Sequence, residues 1–168
     1  MQSDSLVQAP GSGDSMDTSL TSNQSDGISV VALPLEALPY YWEVVQPLLQ
    51  KAVDKGSGEF TTDDVYLRLL DKLMQLLVVV DREKIIAAGV TEVVDYPQFR
   101  KLRAVLLGGE EVHLWAEKMF EKLNEGAKAV GAKEIEAGGR RGWVRFFRKD
   151  SKVKESYCVL TREVDYGQ

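Results

Sequence analysis

The sequence predicts an α+β domain: a single mixed, mostly antiparallel sheet flanked by helices and preceded by a disordered N-terminal tail. Three observations lead to that fold class. Three strand-like runs between Leu76 and Leu107 are joined by turns too short for a crossover, so they are antiparallel neighbours. The longest amphipathic helical pattern follows them and leads into a further run, Lys133 to Ala137, which a helical connection makes parallel to the run ending at Leu107. The opening stretch is dominated by Ser, Asp, Gly, Thr, Asn and Gln and cannot bury enough apolar surface to offset the entropy of ordering it. Residues 1–27 are therefore expected as an acidic disordered tail and residues 28–168 as the folded domain.

Each element has its own signal. Ile28-Ser29-Val30-Val31-Ala32-Leu33 is a β-branched run ended by Pro34, a first strand. Tyr41, Trp42, Val45, Leu48, Leu49 and Ala52 then recur at helical spacing. Pro47 lies inside that pattern, and a helix-interior proline costs about 3 kcal/mol, so a kink or a restart is expected near Val45. Lys55-Gly56-Ser57-Gly58 is a turn. Thr61 or Thr62 caps a second helix whose buried face continues through Val65, Leu69, Leu70 and Leu73. Leu76 to Val80 and Ile85 to Val94 are strands around the turn Asp81-Arg82-Glu83, with Gly89 marking a bulge. Tyr96-Pro97-Gln98 turns the chain into the strand Arg100 to Leu107. Val112, Trp115, Ala116, Met119, Phe120, Leu123, Ala127 and Val130 form one apolar stripe of a long helix that ends at Gly131. After the strand Lys133 to Ala137 come a glycine-rich loop, a short segment from Trp143 to Arg148 that reads as a helix, and one or two final strands between Lys152 and Val164.

Composition narrows the chemistry. Apolar residues make up 44% of the 168 and charged residues 28%, enough for a real core. No apolar run approaches the roughly 20 residues that span a bilayer, and the start has no basic or apolar signal region, so neither a membrane span nor secretion is expected. With one cysteine (Cys158) and one histidine (His113), a multi-Cys/His zinc site or an internal disulfide is excluded, and no metal is expected. Carboxylates, tyrosines, backbone amides or a borrowed cofactor must carry any reaction. Six carboxylates and no Lys or Arg precede residue 51, so the net charge of -5 is concentrated at the N-terminal side and the remainder balances at a single positive charge.

The order β, α, α, β, β, β, α, β, α, β resembles the GNAT superfamily of acyl-CoA N-acyltransferases. The passage Ala127-Lys128-Ala129-Val130-Gly131-Ala132-Lys133-Glu134-Ile135 resembles that family's step from its long helix to a splayed strand, which opens a slot for the pantetheine arm. Gly138-Gly139-Arg140-Arg141-Gly142-Trp143, Val90-Thr91-Glu92-Val93-Val94 and Tyr96-Pro97 are similar to wording in GNAT-like proteins of tailed bacteriophages. The resemblance implies a cofactor loop at Gly108, Gly109 and Glu110. The family's form there is Arg or Gln, two residues, Gly, one residue, then Gly or Ala, and its small residues let backbone amides wrap a diphosphate. Here the glycines are adjacent, no Arg, Lys or Gln falls in the loop, and Glu110 and Glu111 sit where the diphosphate would. Two like charges at about 4 Å repel by about 1 kcal/mol in water and about 4 kcal/mol at an effective dielectric of 20. The same glutamates also suit the first turn of a helix.

If the chain is active, the resemblance implies a carboxylate as base and a late Tyr or Cys as acid. Glu92 is the candidate base, and Tyr157, with Cys158 beside it, the candidate acid. Arg140, Arg141, Arg145, Arg148, Lys149, Lys152 and Lys154, interleaved with Trp143, Phe146 and Phe147, read either as a basic edge over an aromatic cluster or as a surface for an anionic partner. Near-neutrality of the domain disfavours nucleic acid. The leading expectation is a non-catalytic GNAT-like interaction protein, virion-associated or an assembly accessory, in the virion or the host cytoplasm. It would contact other phage structural proteins through residues 1–27 or the basic surface at Arg140, Arg141, Arg145 and Arg148, with no cofactor. The alternative is an N-acetyltransferase using acetyl-CoA on an amine.

Overall fold

A computed structural model describes residues 27–139, 141–147, 149–150 and 152–167. The expected tail, apart from Gly27, lies outside the described residues, as do Arg140 and Arg148. The elements are β1 (Ile28–Ala32), a 3-10 turn (Leu35–Ala37), α1 (Leu38–Val53), α2 (Thr62–Leu70), β2 (Gln75–Asp81), β3 (Lys84–Asp95), β4 (Arg100–Gly109), α3 (Val112–Ala129), β5 (Glu134–Ala137) and α4 (Arg141–Phe147). They build one five-stranded sheet in the order β1-β2-β3-β4-β5. Neighbours from β1 to β4 are antiparallel, and β5 is parallel to β4.

Both faces of the sheet are covered, which explains why β2 is apolar at successive positions. Leu76 and Val78 pack toward α1 and α2, with Val45, Leu49, Val65 and Leu69. Leu77 and Val79 pack toward α3, with Trp115, Met119 and Leu123. Val45 and Leu49 are one helical turn apart and fully buried, each contributing about 1.5–3 kcal/mol relative to exposure. The Trp115 indole N–H, also buried, donates to the Glu110 carbonyl at 2.7 Å and fixes how α3 leaves the sheet.

Local chemistry sets the boundaries. Thr61 caps α2 in a capping box: its hydroxyl accepts from the Asp64 amide, and the Asp64 carboxylate accepts from the Thr61 amide. Lys72, with φ 58°, closes that helix in a left-handed conformation, and Leu73 and Met74 donate back to the Arg68 carbonyl. Gly131, at φ 68°, ends α3 as the spacing predicts.

Pro47 lies inside α1, which continues through it without a restart. Four expectations need correction. Leu70 and Leu73 are exposed because α2 ends at Leu70 and the chain turns away from the core. Gly89 is not a bulge. The register shifts place the extra residues at Ile86 on β3 and Val105 on β4, while Gly89 makes room for Leu107. Gly108 and Gly109 belong to β4, paired with Ala88 and Ala87, so the connection to α3 is only Glu110-Glu111, and neither glutamate lies in the first helical turn. The final strands are absent among the described residues: 152–167 runs without a ladder and stays largely exposed.

Candidate functional site

The site lies where β5 ends beside β4. Their pairing runs from Lys101↔Glu134 to Ala104↔Ala137 and stops. Strand β4 continues for Val105–Gly109, paired with β3 on one side and with no strand on the other among the described residues. Val105 is the unpaired extra residue of that stretch, where a bulge turns backbone groups out of the ladder. The chain then reverses through Glu111, held at φ 49° and ψ 47°, into α3, whose first turn receives no side-chain cap.

The two glycines serve packing. A Cβ on Gly108 would stand 2.0 Å from the Leu48 carbonyl oxygen of α1, and one on Gly109 would stand 2.3 Å from Ala87 Cβ. They let β4 pass tightly between α1 and β3, and Gly108 offers no open cradle for a ligand. Glu110 also differs from expectation. It is not an unopposed charge, because Lys51 of α1 binds it at 2.7 Å. The hydrogen bond from Lys51, helped by its charge and that of Lys84, holds the Glu110 carboxyl below the usual range.

A charged network lies across β3, β4 and β5 beside that point. Period-two alternation and the register Glu92↔Arg103↔Glu136 place those three side chains abreast on the face covered by α1 and α2. Arg103 binds Glu92 at 3.1 Å and Glu136 at 2.8 Å, and donates to the Tyr96 hydroxyl at 3.2 Å. Lys101 reaches Glu136 at 3.0 Å and Glu134 at 3.3 Å. Arg68 of α2 adds a contact to Glu92 at 3.6 Å and lies over the Phe60 ring. The Tyr157 phenol lies close enough to Glu136 for the two groups to interact electrostatically. Burial alone would raise the Glu136 pKa, but the hydrogen bonds from Lys101 and Arg103 outweigh it and the carboxyl is lowered. The charge of Glu136 raises the Tyr157 phenol.

Glu92 and Tyr157, far apart in sequence, thus meet in one network through Arg103 and Glu136. Neither linker was singled out from the sequence, though Lys101-Leu102-Arg103 and Glu134-Ile135-Glu136 alternate as facing strands with opposite charge would. Cys158 is exposed and free, and His113 is exposed on α3. In the basic segment, Trp143 stacks on Phe147 with ring centroids 5.6 Å apart, and Phe147 meets Phe120 of α3 at 5.0 Å. Those aromatics dock α4. A cleft of about 790 Å³, lined by Leu73, Gln75, Thr91, Glu92, Lys122 and Glu125 among others, borders the network at Glu92. Among the described residues no His, Cys, Asp and Glu side chains gather into a metal site, and no helix is long and apolar enough to cross a membrane.

No known family's sequence profile matches the chain, and no curated protein matches it in sequence. Solved structures do match in shape. An aminoglycoside acetyltransferase from an uncultured soil metagenomic sample, in complex with trehalose, superposes with a TM-score of 0.61 at 12% identity, over 83% of this chain and 97% of its own. The ribosomal-protein-alanine N-acetyltransferase of Brucella melitensis biovar Abortus 2308 gives 0.57 at 12% identity, over 83% and 99%. A predicted acetyltransferase with acetyl-CoA from Clostridium acetobutylicum gives 0.60 at 14% identity, over 81% and 96%. These likenesses are of fold, and the fold is that of the GNAT acetyltransferases.

Proposed function

We propose that the chain is a GNAT-type N-acyltransferase that takes an acyl group from acetyl-CoA or a related thioester to an amine. The observation that carries this reading is the free edge of β4: β5 ends at Ala137 opposite Ala104, and β4 continues through the bulge at Val105 beside the Glu92–Arg103–Glu136 network, with Tyr157 close to Glu136. An acyl-CoA supplies a carboxylic acid already activated as a thioester. Backbone groups of Val105–Gly109 suit the amide-bearing pantetheine arm, since an unpaired strand edge offers donors and acceptors along its length. The diphosphate end has less to hold it. Gly108 is filled by α1, and Lys51 is engaged with Glu110.

The network divides the proton work. Tyr157 keeps its proton, because the adjacent Glu136 disfavours phenolate, and a protonated phenol can donate to a leaving thiolate. Glu92 faces the open cleft and is the group that an amine reaches first. Arg103 and Arg68 hold its carboxylate in place there. With acetyl-CoA and a panel of primary amines, amine-dependent release of free thiol is expected, and Tyr157→Phe should reduce kcat by about a hundredfold or more. No thiol release with any amine, despite bound acetyl-CoA, would contradict transfer.

A second reading is favoured by those same ion pairs, which occupy both carboxylates, and by glycines committed to packing. In it the chain is a non-catalytic GNAT-like interaction protein. A place in a phage particle, with contacts through residues 1–27 or the segment around Arg141 and Arg145, rests on sequence wording alone. Co-purification with particle proteins tests it.

A further inference from the structure

Resting on the acyltransfer reading, we propose that the acyl donor is recognised through its pantetheine arm alone, and that the diphosphate and nucleotide of coenzyme A add nothing to its binding. The donor class is then the pantetheine thioester, whatever that arm is attached to. Val105–Gly109 gives about 17 Å of strand, at about 3.4 Å per residue, paired with β3 on one side and with no strand on the other among the described residues. Such an edge presents backbone donors and acceptors to an extended, amide-bearing chain.

The connection from β4 to α3 is built differently. A diphosphate is held when a site offers more than water does, through free cations or through backbone amides converging on a cradle of small residues. The space over Gly108 is taken by the Leu48 carbonyl oxygen, itself an acceptor that a phosphate oxygen cannot approach, and Gly109 lies against Ala87. At the start of α3, the Leu114 amide is bound by the Glu111 carbonyl at 2.8 Å, and the Trp115 indole N–H by the Glu110 carbonyl at 2.7 Å. The side-chain charges oppose each other. Lys51 is bound to Glu110 at 2.7 Å, Lys84 adds its charge to the same carboxylate, and Glu111 follows directly in the chain. A diphosphate moving here from water exchanges full hydration for two cations already answered by two carboxylates. Lys51 is therefore the residue on which donor choice turns: with the Glu110 charge removed, its ammonium is released and one positive charge is left in excess.

Calorimetric titration of the full chain with acetyl-CoA, acetyl-pantetheine and ADP, repeated on Glu110→Gln, tests this. The Glu110 side chain is exposed, so the fold should persist, as checked by thermal melting. In the wild type the two thioesters are expected to bind within about threefold of each other, and ADP at millimolar concentration to give no heat. In Glu110→Gln, acetyl-CoA should bind about threefold tighter or better, while acetyl-pantetheine is unmoved. A larger advantage of acetyl-CoA over acetyl-pantetheine in the wild type, or heat from ADP, would overturn the proposal. So would a Glu110→Gln variant that gains nothing for acetyl-CoA or gains equally for both thioesters. Binding of neither thioester is a different failure: it removes the acyltransfer reading itself, and this proposal with it.

Discussion

Gly108 shows how one residue can be read correctly as special and still be given the wrong task. Adjacent glycines before a helix suggest a phosphate loop, yet here the missing side chain is what lets α1 approach β4, with the Leu48 carbonyl occupying the space. Backbone cannot yield as a side-chain tip can. Gly108→Ala should therefore destabilise the fold by about 1–3 kcal/mol, the usual cost of overpacking, as read from the denaturation midpoint. An unchanged midpoint would mean that α1 shifts freely. Lys51 is the counterpart lesson. Its pairing with Glu110 spans 59 positions, and no local pattern announces it.

At the scale of elements, the β3–β4–β5 ladder couples stability to pH. Glu136 has a folded-state pKa below its ordinary value of 4.5, so the unfolded chain binds more protons there. Its contribution is complete above about pH 4.5 and disappears as pH falls through the lowered value. Lys101 is raised above its ordinary 10.5, chiefly by its hydrogen bond to Glu136, so its share is complete below that pH and is lost as pH rises through the raised value. Glu136→Gln should cost about 1–3 kcal/mol near neutrality and flatten the acid side of the stability profile. An acid limb unchanged in Glu136→Gln would show that other carboxylates carry it.

The strands and helices through Ala137 were legible because each carries its own periodicity or cap: the apolar run of β2, the Thr61 box, the stripe of α3. Glu92 was legible as a carboxylate on the correct strand. What was not legible depends on neighbours. The strand-like residues from Lys152 to Val164 form no strand, because β propensity measures fit to a partner and no partner lies alongside. The bulge was assigned to Gly89 on composition, but the register shifts place the extra residues at Ile86 of β3 and Val105 of β4. Arg103 and Glu136 become important only once β4 and β5 are parallel neighbours in a fixed register.

At the scale of the whole molecule, β5 ends at Ala137 and leaves the rest of β4 as an open edge, the slot in which the proposed acyl donor would lie. The strand edge, the bulge and the ionic network lie in sequence along it, and the acyltransfer reading stands on that alignment. Calorimetric titration of the full-length chain with acetyl-CoA tests it most directly, with a thermal melt in parallel. We predict saturable one-to-one heat and a stabilisation approaching about 2.7 kcal/mol when ligand reaches a hundred times Kd. No heat and no shift in melting temperature at millimolar acetyl-CoA would contradict the slot's assigned purpose.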